Sequence, residues 1–382
     1  MANRKIKLAI VGVGNCASSL VQGIHYYRNA KDDEFVPGVM HVNFGGYHIR
    51  DIEIVAAFDV NQNKVGKDVA EAIYTAPNNT AVFATVPKMG VTVLRGPRLD
   101  GVNETTAPLV PVDDTAKPVN VAKVLRDSGA EAVINYLPVG SQEATEFYAQ
   151  AAIDASCGFV NCIPVFIASD ATWAKKFEQA GLPVIGDDIK AQVGSTITHR
   201  TLVTMFQDRG MRIDRTYQLN NGGNTDFLNL IDRSRGKWKK ISKTEAVTSM
   251  IEQRGNRIEP DNVHIGPSDY VPWLKDRKLG FIRIESRHFG DVPMNLEIRL
   301  DVEDSPNSAG VAIDSIRCLK LALDNGLKGA IIEPAAYFKK HPPQQIEDRE
   351  ARQLVEQFIA RYRVDKPAKQ RRTKPKMVQY SK

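Results

Sequence analysis

The 382-residue sequence predicts an α/β protein in which helices cover both faces of a doubly wound parallel sheet, followed by a second α+β domain. Three observations support this prediction. Short apolar runs alternate with helix-like segments through the first half of the chain, and a glycine-rich turn joins the first run to the first helix. In the second half, residues 294–302 alternate strictly between apolar and polar, which indicates a sheet with one covered face.

The elements follow from these patterns in chain order. Strands of the parallel sheet are predicted at residues 5–11, 52–58, 132–136, 158–160 and 182–186. Helices are predicted between them, at 17–27, from 59 to 73, at 143–155 and at 171–180. The second half contributes a helix at 195–209, strands at 212–219, 280–286 and 294–302, and a closing apolar helix at 310–325.

The elements group into four predicted regions. Residues 1–200 would carry the parallel sheet, 201–310 would form the α+β domain, 311–365 would pack back on the first domain, and 366–382 would form a disordered basic tail. The tail holds seven Lys and Arg residues and no acid, so it accounts for the formal net charge of +6, and the folded part is nearly neutral. Because no aromatic-rich basic motif accompanies the tail, nucleic-acid binding is not expected.

Hydropathy and cysteine content are those of a soluble intracellular protein. No run of about 18 apolar residues is present, and the first residues lead directly into a strand-like segment, so neither a membrane anchor nor a signal peptide is expected. The protein is therefore predicted to be cytoplasmic. Its four cysteines form no CxxC pair, which argues against a zinc ribbon or a disulfide framework.

The glycine-rich turn has the GxGxx(G/A) spacing of a Rossmann-type dinucleotide site, and it lies between a predicted strand and a predicted helix. Gly12 would permit the tight turn, Gly14 would let the backbone approach a pyrophosphate, and Ala17 would let the helix pack on the strand. Asp59, at the end of the second strand, would accept from the ribose hydroxyls and repel a 2′-phosphate, which favours NAD over NADP.

Two stretches rich in Gly, Pro and Asn, at residues 29–50 and 77–118, interrupt the pattern. Both are predicted to be insertions over the nucleotide site. The first would also explain why Asp59 follows the glycine motif at about twice the usual spacing of ~20 residues.

Further cofactor contacts are expected from the motif itself and from later strand ends, because ligands of such sheets bind beyond the carboxyl ends of the strands. The candidates are Asn15, Cys16, Asn135, Leu137, Pro138, Asn161 and Asp188. For the residues at 135–138 and 161, an ordinary strand-to-helix turn is an equally good interpretation.

Polar residues beyond 186 form the candidate chemical site. Gly194-Ser195-Thr196 begins a helix and could form an anion nest. The five Asn and Gly residues at 220–224 are costly to order unless the backbone approaches something such as a polyol, although a solvated turn is an alternative. Lys239 and Lys243 are four residues apart and, if this segment is helical, would share one face, which is most often a solvated one.

Five motifs resemble, in order and content, those of the myo-inositol-1-phosphate synthase family, and the compact chain resembles its shorter bacterial members. They are Gly186-Asp187-Asp188-Ile189-Lys190, Gly223-Asn224-Thr225-Asp226, Lys239-Lys240-Ile241-Ser242-Lys243, Glu303-Asp304-Ser305 and Leu327-Lys328-Gly329-Ala330. The resemblance extends from Leu8 to about His341.

This resemblance implies an isomerase-class enzyme that converts D-glucose 6-phosphate to 1L-myo-inositol 1-phosphate. The steps would be oxidation at C5, aldol closure of C6 onto C1, and reduction, with NAD recycled on the enzyme. The reaction would be the first step of inositol and phosphatidylinositol biosynthesis.

The resemblance also implies residue roles. Lys239 and Lys328 would lie near the reacting C5 oxygen, while Lys243 and Lys278 would hold the phosphate and assist proton transfer. The residues that would orient hydroxyls or lysines are Asp188, Asn224 and Asp304. Several ammonium groups together should lower the pKa of one lysine and make it a base near neutral pH, but the sequence leaves open which one.

Three further expectations come from the resemblance. The second domain would bind substrate and, through its sheet, form a homotetramer. A cation would lie near the NAD pyrophosphate, although the sequence shows no ligand cluster and assigns no metal ligand. Where longer members have Ser-Gly-Gln, this chain has Ala191-Gln192-Val193, so the following Gly194-Ser195-Thr196 could supply the phosphate contact instead.

Two other functions remain open at this stage. One is an ordinary NAD-dependent dehydrogenase of a phosphorylated or polyhydroxylated substrate, which would release NADH. The other is a non-enzymatic dinucleotide-sensing regulator that uses the basic tail to reach DNA or a partner. The proposed constellation of four lysines argues against both, because neither needs so many cations in one pocket.

Overall fold

The structure, a computed structural model, describes residues 4–252 and 257–364. The basic tail predicted at residues 366–382 lies outside the described residues. In chain order the strands are β1 (Ile6–Val11), β2 (Asn43–Phe44), β3 (Tyr47–His48), β4 (Ile52–Asp59), β5 (Val93–Arg95), β6 (Ala132–Asn135), β7 (Gly158–Asn161), β8 (Pro183–Ile185), β9 (Arg212–Gly222), β10 (Val263–Tyr270), β11 (Arg277–Arg287), β12 (Pro293–Glu303) and β13 (Gly329–Ala330).

The α-helices match most of the predicted helical segments within a few residues. They are α1 (Asn15–Tyr26), α2 (Val69–Ala72), α3 (Val121–Asp127), α4 (Gln142–Asp154), α5 (Ala171–Gln179), α6 (Ser195–Asp208), α7 (Thr225–Asn229), α8 (Lys237–Glu252), α9 (Pro306–Asp324), α10 (Ile332–Phe338) and α11 (Asp348–Tyr362). The long helix predicted from 59 to 73 is reduced to the single turn of α2.

The first sheet has the strand order β13-β8-β7-β6-β1-β4-β5, and its neighbouring strands pair in parallel. Read from β5, the first six positions follow the Rossmann order, in which the chain reverses direction across the sheet between β1 and β6. The central strand β1 is buried from Leu8 to Val11, because helices cover both faces. The predicted fold class is confirmed.

The second sheet has the order β10-β9-β11-β12, with β9 and β10 parallel and the other pairs antiparallel. Helices α6 and α8 cover one face, where Val203, Val247 and Ile284 are fully buried. The edge strand β12 shows the predicted alternation, but both of its faces are exposed or half-buried in this single chain. The additional α+β sheet is therefore also confirmed.

The chain returns to the first sheet after β12. Helix α9 is buried along most of its length and packs on α1 and on β6 to β8, and β13 then extends the sheet beside β8. Because this return places Ser305 and the start of α9 at the carboxyl edge of the first sheet, the two sheets share one cleft.

The two segments predicted to be insertions over the nucleotide site lie in different parts of the fold. Segment 77–118 contributes β5 to the sheet and covers the cleft. Segment 29–50 does not: Asp314 of α9 accepts from the Met40 backbone at 2.7 Å, and the Arg317 guanidinium of α9 donates to the Val42 carbonyl at 2.8 Å. The reason is that α1 carries the chain away from the cleft to the amino edge of the sheet, so the prediction for 29–50 was wrong.

In the part of the chain that the structure describes, none of the helices has the length and apolar character needed to cross a membrane.

Candidate active site

The candidate site is one continuous cavity along the carboxyl edge of the first sheet. It begins at the glycine-rich loop between β1 and α1 and ends among lysines of α8, β11 and the segment after α10. Segment 77–118 lines it from outside through Asn78, Leu99 and Thr106. A long ligand could therefore contact the glycine loop at one end and the lysines at the other.

The glycine loop has the geometry that the motif requires. Gly12 has a positive φ of 85°, and a Cβ there would lie 2.8 Å from the Tyr136 carbonyl oxygen. Gly14 is the N-cap of α1, and a Cβ at Gly14 would meet no atom within 4 Å, because that position faces the open cavity. Asn15 and Cys16 also line the cavity, whereas Ala17 is buried against the sheet. The first turn of α1 thus presents free backbone amides where a pyrophosphate could bind.

Asp59 ends β4 and lines the cavity beside this loop. Its carboxylate accepts from three backbone amides: Val13 at 2.8 Å, Val60 at 2.7 Å and Asn61 at 2.8 Å. One of these bonds fixes the glycine loop itself. Asp59 is therefore held rigidly at the position where a ribose would lie, with acceptor capacity remaining on Oδ2.

Leu137 and Pro138 line the cavity, but the two asparagines predicted as cofactor contacts do not. Asn135 donates to Asn161 at 3.0 Å, and Asn161 donates to the Asp187 carboxylate at 2.8 Å. Both amides are fully buried within the sheet edge and are used up by these internal bonds. The structure corrects the prediction for Asn135 and Asn161, which support the strand ends instead of reaching a ligand.

Four lysines line the far end of the cavity, and three of them pair with a carboxylate. Lys278 donates to Asp304 at 2.8 Å, and Lys340 donates to Asp188 at 2.9 Å. Lys239 is paired with Asp226.

Charge sets the pKa values in this cluster. Burial alone would raise the pKa of the Asp188 carboxyl, but Lys340 and Lys239 outweigh it and lower that pKa. Burial likewise opposes ionisation of Asp304, and Lys278 lowers its pKa below the usual value. Burial lowers the pKa of Lys340, while Asp188 opposes that shift. The carboxyl groups of Asp188 and Asp304 are therefore ionised near neutral pH.

Lys243 is the exception in the cluster. It lies one turn after Lys239 on α8, is only 3% exposed, and makes no hydrogen bond or ion pair with another described residue. Burial, together with the charges of Lys239, Lys278 and Lys340, moves its pKa well below the usual value. An amine in this position loses its proton at a lower pH than an ordinary lysine, so Lys243 is the candidate for the base that the sequence left unassigned.

Lys328 does not belong to the cluster. It is exposed and immediately precedes β13, whose parallel pairing with β8 places Lys328 at the amino edge of the sheet, away from the cavity. The structure corrects this prediction. The fourth lysine is Lys340, whose backbone amide also donates to the Asp188 carbonyl at 2.6 Å. A Lys-Lys-His-Pro run after a helix gives no local sign of such a role.

The Asn- and Gly-rich turn is explained by packing and not by a polyol. A Cβ at Gly223 would lie 2.5 Å from the Lys275 backbone nitrogen, and one at Gly222 would lie 2.3 Å from the Phe227 ring. Asn224 does line the cavity; its side chain caps α7 by accepting from the amides of Asp226 and Phe227. The glycines are therefore needed for a close approach within the protein.

The amino end of α6 reaches the same part of the cavity, since Gly194, Ser195 and Thr196 all line it. Ser195 is buried, and its hydroxyl is without a hydrogen-bond partner in the described part of the chain. Helix α6 has no acid in its first turn. An anion beside Lys243 and Lys278 would thus also face the positive end of a helix.

No metal site accompanies these groups in residues 4–252 and 257–364, where no three His, Cys, Asp or Glu side chains come together as ligands. The cation that the resemblance implied therefore has no such cluster here.

The fold and the cavity define a class: an α/β protein with a Rossmann-type sheet, in which one cleft joins a glycine-rich loop to a buried lysine cluster. The family model for myo-inositol-1-phosphate synthase matches residues 194–305, which include α6, the whole second sheet and three of the four lysines.

Comparison with known proteins then shows the family. The chain is 58% identical to the inositol-3-phosphate synthase of Mycolicibacterium smegmatis, over 93% of this chain and 98% of that one, and 55% identical to the inositol-3-phosphate synthase of Corynebacterium glutamicum, over 94% and 99%. The crystal structure of inositol-3-phosphate synthase from Caenorhabditis elegans shares the fold, with a TM-score of 0.73 at 15% identity over 93% of this chain and 85% of that one. The chain belongs to the myo-inositol-1-phosphate synthase family and is an enzyme.

Proposed function

We propose that the protein catalyses the NAD-dependent, redox-neutral conversion of D-glucose 6-phosphate to 1L-myo-inositol 1-phosphate. The observation that carries this proposal is the buried amine of Lys243, which is unpaired among the described residues and has three other lysines around it, in the same cavity as a glycine-rich loop. An intramolecular aldol closure needs a base and several cations together, and a simple hydride transfer does not. Membership of the family supports the same reaction.

The described residues fit NAD. The open space at Gly14, the free amides at the start of α1 and the carboxylate of Asp59 match a pyrophosphate and an adjacent ribose, respectively. NAD would accept hydride from C5 of the substrate and return it to the same carbon. Leu137 and Pro138 line the cavity next to this loop and would exclude water from the cofactor.

The substrate phosphate would bind at the start of α6. Backbone amides of Ser195 and Thr196, the free Ser195 hydroxyl and the ammonium of Lys278 converge on that part of the cavity. In this chain the Gly194-Ser195-Thr196 turn would therefore serve where longer members use Ser-Gly-Gln. Asp304 holds Lys278 in place for this contact.

Lys243 would then take a proton from C6, which is acidified once C5 is a ketone. Lys239 and Lys340, held by Asp226 and Asp188, would donate to the C5 oxygen as negative charge develops there. The C6 carbanion closes on C1, whose oxygen takes a proton, and C5 is finally reduced. No net oxidation results, so electrons and protons balance within one turnover.

The proposal also includes the cellular location, the biosynthetic step and the oligomeric state of the enzyme. The enzyme would act in the cytoplasm at the first step of inositol and phosphatidylinositol biosynthesis. It would assemble as a homotetramer through the second sheet, whose edge strand β12 leaves its backbone groups unpaired along one side in this single chain.

The test uses glucose 6-phosphate that carries deuterium at C5. The proposal expects inositol phosphate in proportion to substrate consumed, with NAD needed only in catalytic amount and the deuterium retained in the product. Stoichiometric release of NADH, or loss of the label to solvent, would show an ordinary dehydrogenase instead.

A further inference from the structure

One buried carboxylate outside the cavity lining joins its two ends. Asp276 lies just before β11, is fully buried, and receives hydrogen bonds from three elements. Asn15, at the start of α1, donates to it at 3.2 Å; Asn224, the cap of α7, donates at 2.9 Å; and Ser305, before α9, donates from its backbone amide at 3.1 Å and from its hydroxyl at 3.0 Å.

A fourth element is tied to the same group. The side chain of Thr80, in the segment that covers the cavity, also bonds to Asp276. The Asn15 side chain in turn accepts from the amides of Asn79 at 2.8 Å and Thr80 at 3.2 Å, and Asn79 reaches the Gly223 carbonyl at 3.2 Å. The bonds form a closed network around one buried carboxylate, and such networks hold their members in a single arrangement.

The network connects directly to the lysines. Asn224 caps the short helix whose Asp226 is paired with Lys239. On the other side, the backbone carbonyl of Asp276 accepts from the Asp304 amide at 2.9 Å, and the Asp304 carboxylate holds Lys278. Asp276 therefore bonds directly to Asp304 of one lysine–carboxylate pair, and it reaches Asp226 of the other pair through Asn224. It also accepts a hydrogen bond from Asn15, which follows the glycine loop.

We propose that Asp276 is a positioning residue that fixes the glycine loop, and the cofactor bound to it, relative to the substrate held by the lysines. It touches neither ligand itself. Hydride transfer depends steeply on the distance between donor and acceptor carbons, and a misplacement of about 1 Å can cost ~10²-fold in rate. This inference rests on the proposed function, because it assumes a hydride transfer between these two ends of the cavity.

The test is the isosteric variant Asp276→Asn. An amide has one acceptor oxygen, so its NH₂ group must oppose at least one of the donors that now converge on the carboxylate. We expect kcat to fall ~10- to 100-fold, while the Kd for NAD and the KM for glucose 6-phosphate change less than about threefold. With substrate deuterated at C5, the isotope effect on kcat should rise, because hydride transfer becomes slower than the other steps.

A matched control is Asp314→Asn, the same change in an equally buried carboxylate that ties segment 29–50 to α9 outside the cavity. This variant should lose stability and keep the wild-type kcat per folded molecule and the wild-type isotope effect. An unchanged isotope effect in Asp276→Asn, or an equal rise in both variants, would overturn the proposal.

Should Asp276→Asn fail to fold, Thr80→Val removes the Thr80 bond to the same carboxylate at constant shape, together with the 3.3 Å contact between the hydroxyls of Thr80 and Ser19. Its kcat should fall and its isotope effect should rise in the same sense, by less; a wild-type isotope effect would then count against Asp276. Failure of the wild-type enzyme to cyclise its substrate would be a separate result, since it overturns the proposed function before any variant is compared.

Discussion

Two clusters of buried basic residues meet the chain segment after β8. Lys190 belongs to the first cluster, and Asp188 pairs with Lys340 of the second. Only the second cluster lines the cavity. In the first, Asp348 accepts from Lys190 and from Arg200, each at 2.8 Å. Other donors of these cations reach backbone carbonyls, such as that of Ala336 at 2.7 Å from Lys190, and Arg200 also donates to the Gln345 side chain at 3.1 Å. In the second cluster, Lys243 has cations around it and no hydrogen-bond acceptor among residues 4–252 and 257–364.

The comparison shows that burial of a cation does not by itself indicate function. Burial lowers the pKa of Lys190 to about 8, and it also lowers that of Lys243. The difference lies in the surroundings: Lys190 is held by a carboxylate and a carbonyl, whereas Lys243 faces a cavity and three like charges. The first arrangement stabilises the fold between α6, α10 and α11, and the second leaves a base available.

The largest expected effect is that of Lys243→Met, which keeps the length of the side chain and removes the amine. Loss of a general base should reduce kcat by ~10²- to 10⁴-fold. The Kd for NAD should not change, since the glycine loop is at the other end of the cavity. Steady-state kinetics and calorimetric titration of NAD measure the two quantities.

The matched control for this change is Lys240→Met, three residues earlier on α8 at an exposed position. It should have wild-type kinetics. A comparable loss in both variants would mean that the general charge of α8 matters, and not the amine of Lys243.

The next prediction compares Lys340, which lies in the cavity, with Lys328, which was assigned to the site only through the family resemblance. Lys340→Ala removes the partner of Asp188 and a donor to the C5 oxygen, so kcat/KM should fall by about 10²-fold or more, the usual cost of removing a donor to developing charge. Lys328→Ala, at the opposite edge of the sheet, should behave as wild type. Equal losses would show that Lys328 acts in the reaction after all.

In the first cluster, around Asp348, we expect a substitution to have a small effect on turnover and a large effect on stability. Asp348→Asn leaves Lys190 and Arg200 without their shared carboxylate, which should cost about 3–5 kcal/mol in the free energy of unfolding. The kcat per folded molecule should stay near the wild-type value. Urea denaturation checks the first statement and an activity assay at low temperature the second.

The pH dependence of stability gives a second test of the pairing of Asp348 with Lys190 and Arg200. Burial opposes ionisation of Asp348, but Lys190 and Arg200 outweigh it and lower its pKa in the folded protein. A lowered carboxyl pKa adds stability above the unfolded value of about 3.9, and that stability is lost as pH falls further. Asp348→Asn should therefore lack this part of the acid-induced loss; an identical acid profile would contradict the pairing.

Much of the first sheet could be predicted from sequence, because each strand is a local apolar run and the glycine motif marks the turn after β1. Strand β5 could not, since it has only three residues within a Pro-rich stretch and exists through its pairing with β4. Strand β10 and helix α8 were also missed; most of the exposed face of α8 is charged, and its apolar positions are few.

Some residues of the candidate site could likewise be predicted from the local sequence, and others could not. Gly12 and Gly14 could be predicted from spacing, because the glycine motif is contiguous and its physical demands are local, and Asp59 could be predicted from its position at the end of the second strand. The lysines needed the family resemblance, and Lys340 was missed even so. Its contact with Asp188 depends on the backbone bridge between Ile189 and Lys339, a tertiary pairing that no periodicity reveals.

The central claim is that Lys243 loses its proton at a much lower pH than an ordinary lysine, and its proton can be followed directly. In protein labelled with ¹³C at the lysine ε-carbons, the Lys243 resonance is identified as the one missing from Lys243→Arg, and its shift is recorded against pH. We predict a titration midpoint well below the usual lysine value of about 10.4. A midpoint at or above that value would mean that Lys243 carries a proton at neutral pH, and the account of the lysine cluster as the source of the base would be wrong.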